Sequence, residues 1–172
     1  MKPGGGKSKG STFERDIAKT LNNWLNPRAR EIDLWRSPSS GGMYTQNKKA
    51  SNTSGDIVAL TKRGKTLTDH MHWECKRYKK IDWSAIFDPK RKGVWGKIVN
   101  KTLGECPQNK VPMFVLKENG KPAFIVFQIS HVGEFSIITG GWYVLELNEL
   151  IKTFTPTGFE NFVVKYGKKS TA

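Results

Sequence analysis

The chain has 172 residues, one domain's worth, and its 37% hydrophobic content with six Trp excludes a disordered polymer. Lys and Arg number 29 against 15 Asp and Glu, a formal net charge of +14, so a polyanionic partner is expected, nucleic acid ahead of an acidic membrane surface. No apolar run approaches the roughly 18 residues of a membrane span, "MKPGGGKSKGS" lacks an apolar signal core, and Cys75 and Cys106 form neither a metal-ligand pair nor a disulfide framework, which reads as a cytoplasmic protein.

Residues 1–10 are Gly and Lys without periodicity and read as a flexible basic arm; "GGGKS" fails as a P-loop because Met1 stands where its first Gly is needed. "STFERDIAKTLNNWL" reads as an amphipathic helix from Ser11 to Leu25, with Ser11 and Glu14 as a capping box. Its apolar residues fall in a sector roughly 140° wide, and Glu14 lies inside it. Glu14 is therefore either a cap or a carboxylate on a core-facing stripe that needs a cation to offset its desolvation. "IDLWRS" predicts a strand from Ile32 to Ser37, followed by a long Ser-, Gly- and Asn-rich loop.

"DIVALT" and "DHMHWECKRY" predict two strands of a hairpin turning through "KRGKTLT". With Lys65 at its centre, Asp56 and Glu74 both lie nine residues away and face each other, with Cβ atoms about 5 Å apart. Met71, Trp73 and Cys75 share one strand face; His70, His72, Glu74 and Lys76 share the other. Helices are expected at "DWSAIF" and "GVWGKIVNKTLGE", the second with Val94, Trp95, Ile98, Val99 and Thr102 or Leu103 turned inward. "VPMFVLKENGKPAFIVFQ" predicts a hairpin turning at Asn119-Gly120. Strands "FSIIT" and "GGWYVLEL", a short helix "NELIKTF" and a basic tail, residues 166–172, complete the reading.

Two facing carboxylates repel unless a cation sits between them. Asp56, Glu74 and Lys76 fit D-x(n)-E-x-K, whose residue types suit phosphodiester hydrolysis. A hard divalent cation prefers such oxygens, binds a phosphate oxygen and acidifies a bound water. The i, i+2 spacing sets Lys76 beside Glu74, where its ammonium orients or deprotonates water or stabilises charge developing on phosphorus.

Together with "GSTFERDIAKTL", "LWRSPSSGG", "GDIVAL", "WECK" and "VPMFVLKENGKPAFIVF" in that order, the chain resembles a PD-(D/E)XK nuclease. Within that superfamily it is most similar to archaeal-type Holliday junction resolvases and their phage relatives. The resemblance implies an α/β (α+β) restriction-endonuclease-like fold, a mixed β-sheet flanked by helices in a single nuclease domain over residues 11–165. It implies Mg²⁺, with Mn²⁺ as substitute, held by Glu14, Asp56, Glu74 and the backbone carbonyl of Cys75, with Lys76 as the catalytic lysine. It gives Ser37 or Ser39 a phosphate-contact or assisting role and Arg36 a DNA-backbone contact. A phage-encoded chain would work in the host cytoplasm. Gly55 stands where the superfamily pattern has Pro, and the loop from Gly41 to Gly55, the Asp56–Glu74 connection and "DPKRKGVWGK" are longer than in compact resolvases.

With this net charge, Lys97 and Lys101, at i, i+4 on an outward helix face, are candidate phosphate contacts, as are Arg15, Lys48, Lys49, Arg77, Lys79 and Lys80. His70-x-His72-x-Glu74 offers a transition-metal set, against the simpler reading that both histidines are solvated or touch DNA. Asp69 reads as a turn residue and Cys75 as a small core residue. The function expected is a homodimeric endonuclease nicking four-way junctions. The alternatives are a nicking or restriction-like endonuclease, and a basic DNA-binding protein without catalysis.

Overall fold

The computed structural model describes residues 5–28, 30–37, 55–86, 90, 93–130 and 141–170, with side chains from Gly10 onward. Ser39, Lys48, Lys49 and the expected strand "FSIIT" lie outside the described residues. In chain order the elements are α1 (Gly5–Leu25), β1 (Leu34–Arg36), β2 (Ile57–Ala59), a 3-10 turn (Gly64–Leu67), β3 (Met71–Tyr78), α2 (Trp83–Ile86), α3 (Gly93–Glu105), β4 (Val111–Glu118), β5 (Ala123–Gln128), β6 (Trp142–Glu146), α4 (Leu147–Thr153) and α5 (Pro156–Tyr166).

A mixed four-stranded sheet, ordered β3-β4-β5-β6, is the centre of the molecule. β3 and β4 run parallel, which requires a crossover, and α2 and α3 supply it. β4 and β5 are the antiparallel hairpin expected from Asn119-Gly120, with Gly120 at φ 75° in the turn. This is the α/β arrangement of a mixed sheet flanked by helices that the sequence implied.

The two sheet faces bury separate cores. Met71, Trp73 and Cys75 of β3 join Phe13, Ile17 and Leu21 of α1 and Phe159 and Val163 of α5 on one side. Fully burying Phe127 and Phe159 in this layer contributes roughly 1.5–3 kcal/mol each. On the other side Phe114 and Leu116 of β4 meet Trp95 and Val99 of α3 and Trp142 of β6. Trp95 packs edge-on to Phe114, ring centroids 5.1 Å apart.

Four expectations are corrected. First, "DIVALT" and "DHMHWECKRY" do not form a hairpin ladder: β2 pairs antiparallel with β1, and β3 pairs parallel with β4. The intervening residues fold into the 3-10 turn, whose Leu67 is fully buried and whose carbonyl accepts from the Trp73 indole, so they are not free to make a tight reversal. Second, α1 begins at Gly5, so Ser11 is inside the helix rather than its cap. Third, Val94 is 68% exposed and leaves the inward stripe of α3, while Trp95, Val99 and Thr102 are buried as expected. Fourth, α5 follows α4 where no helix was expected, capped by the Thr155 hydroxyl and opened by Pro156. Beyond it the chain is pinned, Lys168 N–H donating to the Gln128 carbonyl and Ser170 N–H to that of Lys110. No described helix is long and apolar enough to cross a membrane.

Candidate active site

The alternation of β3 sets His72, Glu74, Lys76 and Tyr78 on the face opposite Trp73 and Cys75. Parallel register places Glu74 beside Phe114 and Lys76 beside Leu116, so apolar neighbours wall this row on one side. β2 enters from the other side. Asp56 N–H donates to the Trp73 carbonyl at 2.7 Å, and Cys75 N–H donates to Asp56 Oδ2 at 2.7 Å. These bonds bracket Glu74 and bring the Asp56 carboxylate to it without an antiparallel ladder.

Gly55 makes that approach feasible. Its φ is 92°, and a Cβ there would lie 2.9 Å from the Trp73 carbonyl oxygen. Proline, fixed near φ −65°, cannot adopt this backbone.

Lys76 Nζ contacts Glu74 Oε1 directly, lies 3.8 Å from Asp56 Oδ2 and donates to the Cys75 carbonyl at 3.4 Å. Asp56 and Glu74 are both buried. Desolvation, then the Glu74 charge, push the Asp56 carboxyl from its ordinary 3.8 up to about 7, against the pull of Lys76 and the Cys75 N–H. Burial works to lower Lys76, but the Glu74 and Asp56 charges prevail and raise it to about 12. Paired with these carboxylates, Lys76 is thus an ammonium at neutral pH.

Glu14 stands on α1 beside this group, close enough for its charge to add to the elevation of Asp56. Its Oε2 accepts from Arg36 Nε at 2.9 Å. Asn22 fixes the geometry: its side-chain oxygen accepts from the N–H groups of Asp33 and Leu34, and its amide donates to the carbonyls of Ala18 and Leu34. β1 is thereby tied to α1, with Arg36 over Glu14. The ladder continues past β1, Ser37 N–H donating to the Asp56 carbonyl at 2.8 Å, which brings buried Ser37 to the same end.

A family model described as phage putative PDDEXK endonuclease matches residues 5–156. The chain belongs to this family. No curated protein and no solved structure matches. In this PDDEXK chain the matched stretch contains Asp56, Glu74, Cys75 and Lys76. Nucleases of this superfamily typically use divalent metals, and the buried Asp56 and Glu74 carboxylates are oxygen donors of the kind such an ion takes. Burial first and the Glu74 charge second make the negative form of Asp56 costly, a cost that a cation at the pair would offset. Among the described residues no three His, Cys, Asp or Glu side chains converge closely enough to hold an ion. The Lys76 ammonium occupies the space between the Asp56 and Glu74 carboxylates.

Other expected contacts are spread around the PDDEXK domain. Arg77 points to the opposite face from Lys76, and its Nε donates to Asn119 Oδ1 at 3.0 Å. Arg15, Lys79, Lys80, Lys97 and Lys101 are exposed, and Lys101 lies 3.8 Å from Glu105. His72 contradicts the expectation of solvent or DNA contact. It is buried, 2% exposed, both ring nitrogens lack a hydrogen-bond partner among the described residues, and burial followed by the Lys110 charge lowers it to about 4. Alternation had placed it on the Glu74 face; Gly55, whose Cβ would lie 3.4 Å from its ring, helps cover it there. Tyr78 continues the row beyond Lys76.

Proposed function

We propose that the protein is a divalent-metal-dependent endonuclease that hydrolyses DNA phosphodiesters, and that its substrate is branched DNA, four-way junctions above all. The observation that supports the reading is the meeting of buried Asp56 and Glu74 at the Lys76 ammonium in a chain of the phage PDDEXK family.

Asp56, Glu74, Glu14 and the Cys75 carbonyl are the groups that would hold Mg²⁺, or Mn²⁺ in its place. When bound, the ion supplies Lewis acidity at a phosphate oxygen and lowers the pKa of water. Lys76, released from between the carboxylates, stabilises the negative charge that grows on the phosphoryl oxygens in the transition state. Arg36, paired with Glu14, holds that carboxylate beside the site and brings its positive charge to the DNA backbone. Ser37 contacts phosphate at the same end. Exposed Lys79, Lys80 and Lys97 bind backbone phosphates without reading sequence.

Four-way junctions have near two-fold symmetry, and resolving one takes two matched nicks. A C₂ homodimer with one site per subunit would deliver them. The experiment presents a labelled four-way junction, its linear duplex and a single strand to the protein with Mg²⁺, Mn²⁺ or EDTA. Paired nicks in the junction alone, absent in EDTA, are expected. Comparable cleavage of duplex would retain the nuclease and remove junction selectivity. No cleavage of any substrate by folded, DNA-bound protein would leave a binding protein.

A further inference from the structure

The face of β3 that carries Glu74 and Lys76 continues into a cleft that the endonuclease chemistry does not use. Tyr78 forms one wall, two residues and roughly 7 Å beyond Lys76. The α2–α3 crossover forms the other, with Ile81, Ala85, Ile86, Val94 and Trp95 presenting apolar surface. The cleft holds about 700 Å³, within the range of small-molecule sites. Val94, 68% exposed at its edge, is an apolar side chain facing solvent for no structural gain.

Among the described residues the polar side chains that line it are those of Tyr78, Lys80, Asp82 and Ser84. Lys80 lines the mouth. The Asp82 carboxylate is occupied locally, Oδ1 accepting from Ser84 Oγ at 2.6 Å and from the Ser84 N–H at 3.1 Å, so it caps the turn instead of confronting a ligand. The Tyr78 hydroxyl is half-buried, its pKa raised by desolvation, and it feels the charges of both Lys76 and Glu74. A flat apolar slot with an aromatic wall, a lysine at its mouth and a row of phosphate-handling groups leading into it suits one ligand type.

We propose that this cleft is a subsite for an unstacked nucleobase of the DNA strand whose phosphate lies at Glu74 and Lys76. The proposal rests on the endonuclease reading and adds to it the origin of substrate choice. A base inside a continuous duplex is stacked and paired on both sides and cannot enter. At a branch point, mismatch or single-stranded end the cost of unstacking is small, and apolar and aromatic contact with the base offsets it. Selection for interrupted DNA then comes from base insertion next to the cleaved bond, not from reading sequence. A strongly basic chain and the Lys80 mouth favour a nucleotide over an apolar side chain from another protein.

The test uses the full chain in EDTA, so that no strand is cut. Branched DNA carrying 5-iododeoxyuridine at successive positions around the branch is bound and irradiated, and crosslinked peptides are mapped. A crosslink at Tyr78 from one position is expected. It should be lost in Val94→Asp, at an exposed position that leaves folding intact, and in Ala85→Leu, which fills the slot without adding charge. Both should bind branched DNA about 10-fold more weakly while duplex affinity changes less. Asn100→Asp, the same charge change at an exposed position of α3, should keep the crosslink. No crosslink at Tyr78 from any position, or one undiminished in both cleft variants, overturns the subsite. Loss of a dimer in those variants without any Tyr78 crosslink also overturns it and gives the cleft to a second copy. A Tyr78 crosslink in a protein that cleaves nothing with Mg²⁺ or Mn²⁺ upholds the subsite and sinks the endonuclease reading; cleavage without the crosslink does the reverse.

Discussion

Arg36 Nε stands 2.9 Å from Glu14 Oε2, joining β1 to α1 across 22 residues of sequence. A carboxylate on a core-facing helix stripe needs such a cation, and both side chains are largely withdrawn from solvent. Arg36→Met should therefore lower stability by about 1–3 kcal/mol, because Glu14 keeps its charge and loses the Arg36 cation. Glu14→Gln combined with Arg36→Met should recover part of the loss. Urea denaturation of the single and double variants checks this; equal losses in both would contradict it.

Gly55 carries a second prediction. Gly55→Ala forces a side chain into a left-handed backbone and against the Trp73 carbonyl, and the strain falls on the bond that positions Asp56. A loss of about 1–3 kcal/mol is expected, with a larger proportional loss of metal binding than of DNA binding. Melting curves and metal titration of the same preparation measure both.

Asp56 and His72 titrate with opposite signs. Asp56 has its carboxyl raised from 3.8 to about 7, so the folded state holds more protons than the unfolded state in that window and stability falls as pH rises through it. His72 is lowered from 6.5 to about 4, so the folded state holds fewer protons there and stability rises as pH rises. Each slope is at most roughly 1.4 kcal/mol per pH unit, and in the metal-free wild type they largely cancel between about pH 4 and 6.5. Asp56→Asn should expose the loss on acidification that His72 causes. His72→Leu should expose a gain on acidification instead. Chemical denaturation from pH 4 to 7.5 reads both slopes, and parallel curves for the two variants would refute the assignment.

The Asp56–Glu74 pair also sets stability against activity. At pH 7.5 Asp56→Asn removes a costly buried charge and should raise the melting temperature. Mg²⁺ should stabilise the wild type, by binding the native state, and have little effect on Asp56→Asn. Thermal melts with and without Mg²⁺ provide the comparison.

Much of this architecture was legible from local patterns. Asn119-Gly120 announced the β4–β5 hairpin, and a 3.6-residue period located α3. The residue types of Asp56, Glu74 and Lys76 marked a common site before any geometry. Their pairing was not legible, because strand partners are chosen by long-range burial: Leu67 and Trp73 draw the connecting segment into the core and leave β2 to pair with β1. α5 was legible and overlooked, since Thr155-Pro156 is a helix start and Phe159, Phe162, Val163 and Tyr166 follow at helical spacing. The burial of His72 needed the backbone of Gly55 beside it, which strand alternation does not reveal.

The most direct test of the central claim is a single-turnover cleavage assay of wild type, Glu74→Gln and Lys76→Ala on the preferred DNA with saturating Mg²⁺. The account predicts that Glu74→Gln and Lys76→Ala each lose at least about 100-fold in rate, as removal of one transition-state charge partner does elsewhere, while DNA affinity in EDTA stays close to wild type. Cleavage at near wild-type rate by either variant, shown to be folded, would contradict the assignment of this site to catalysis.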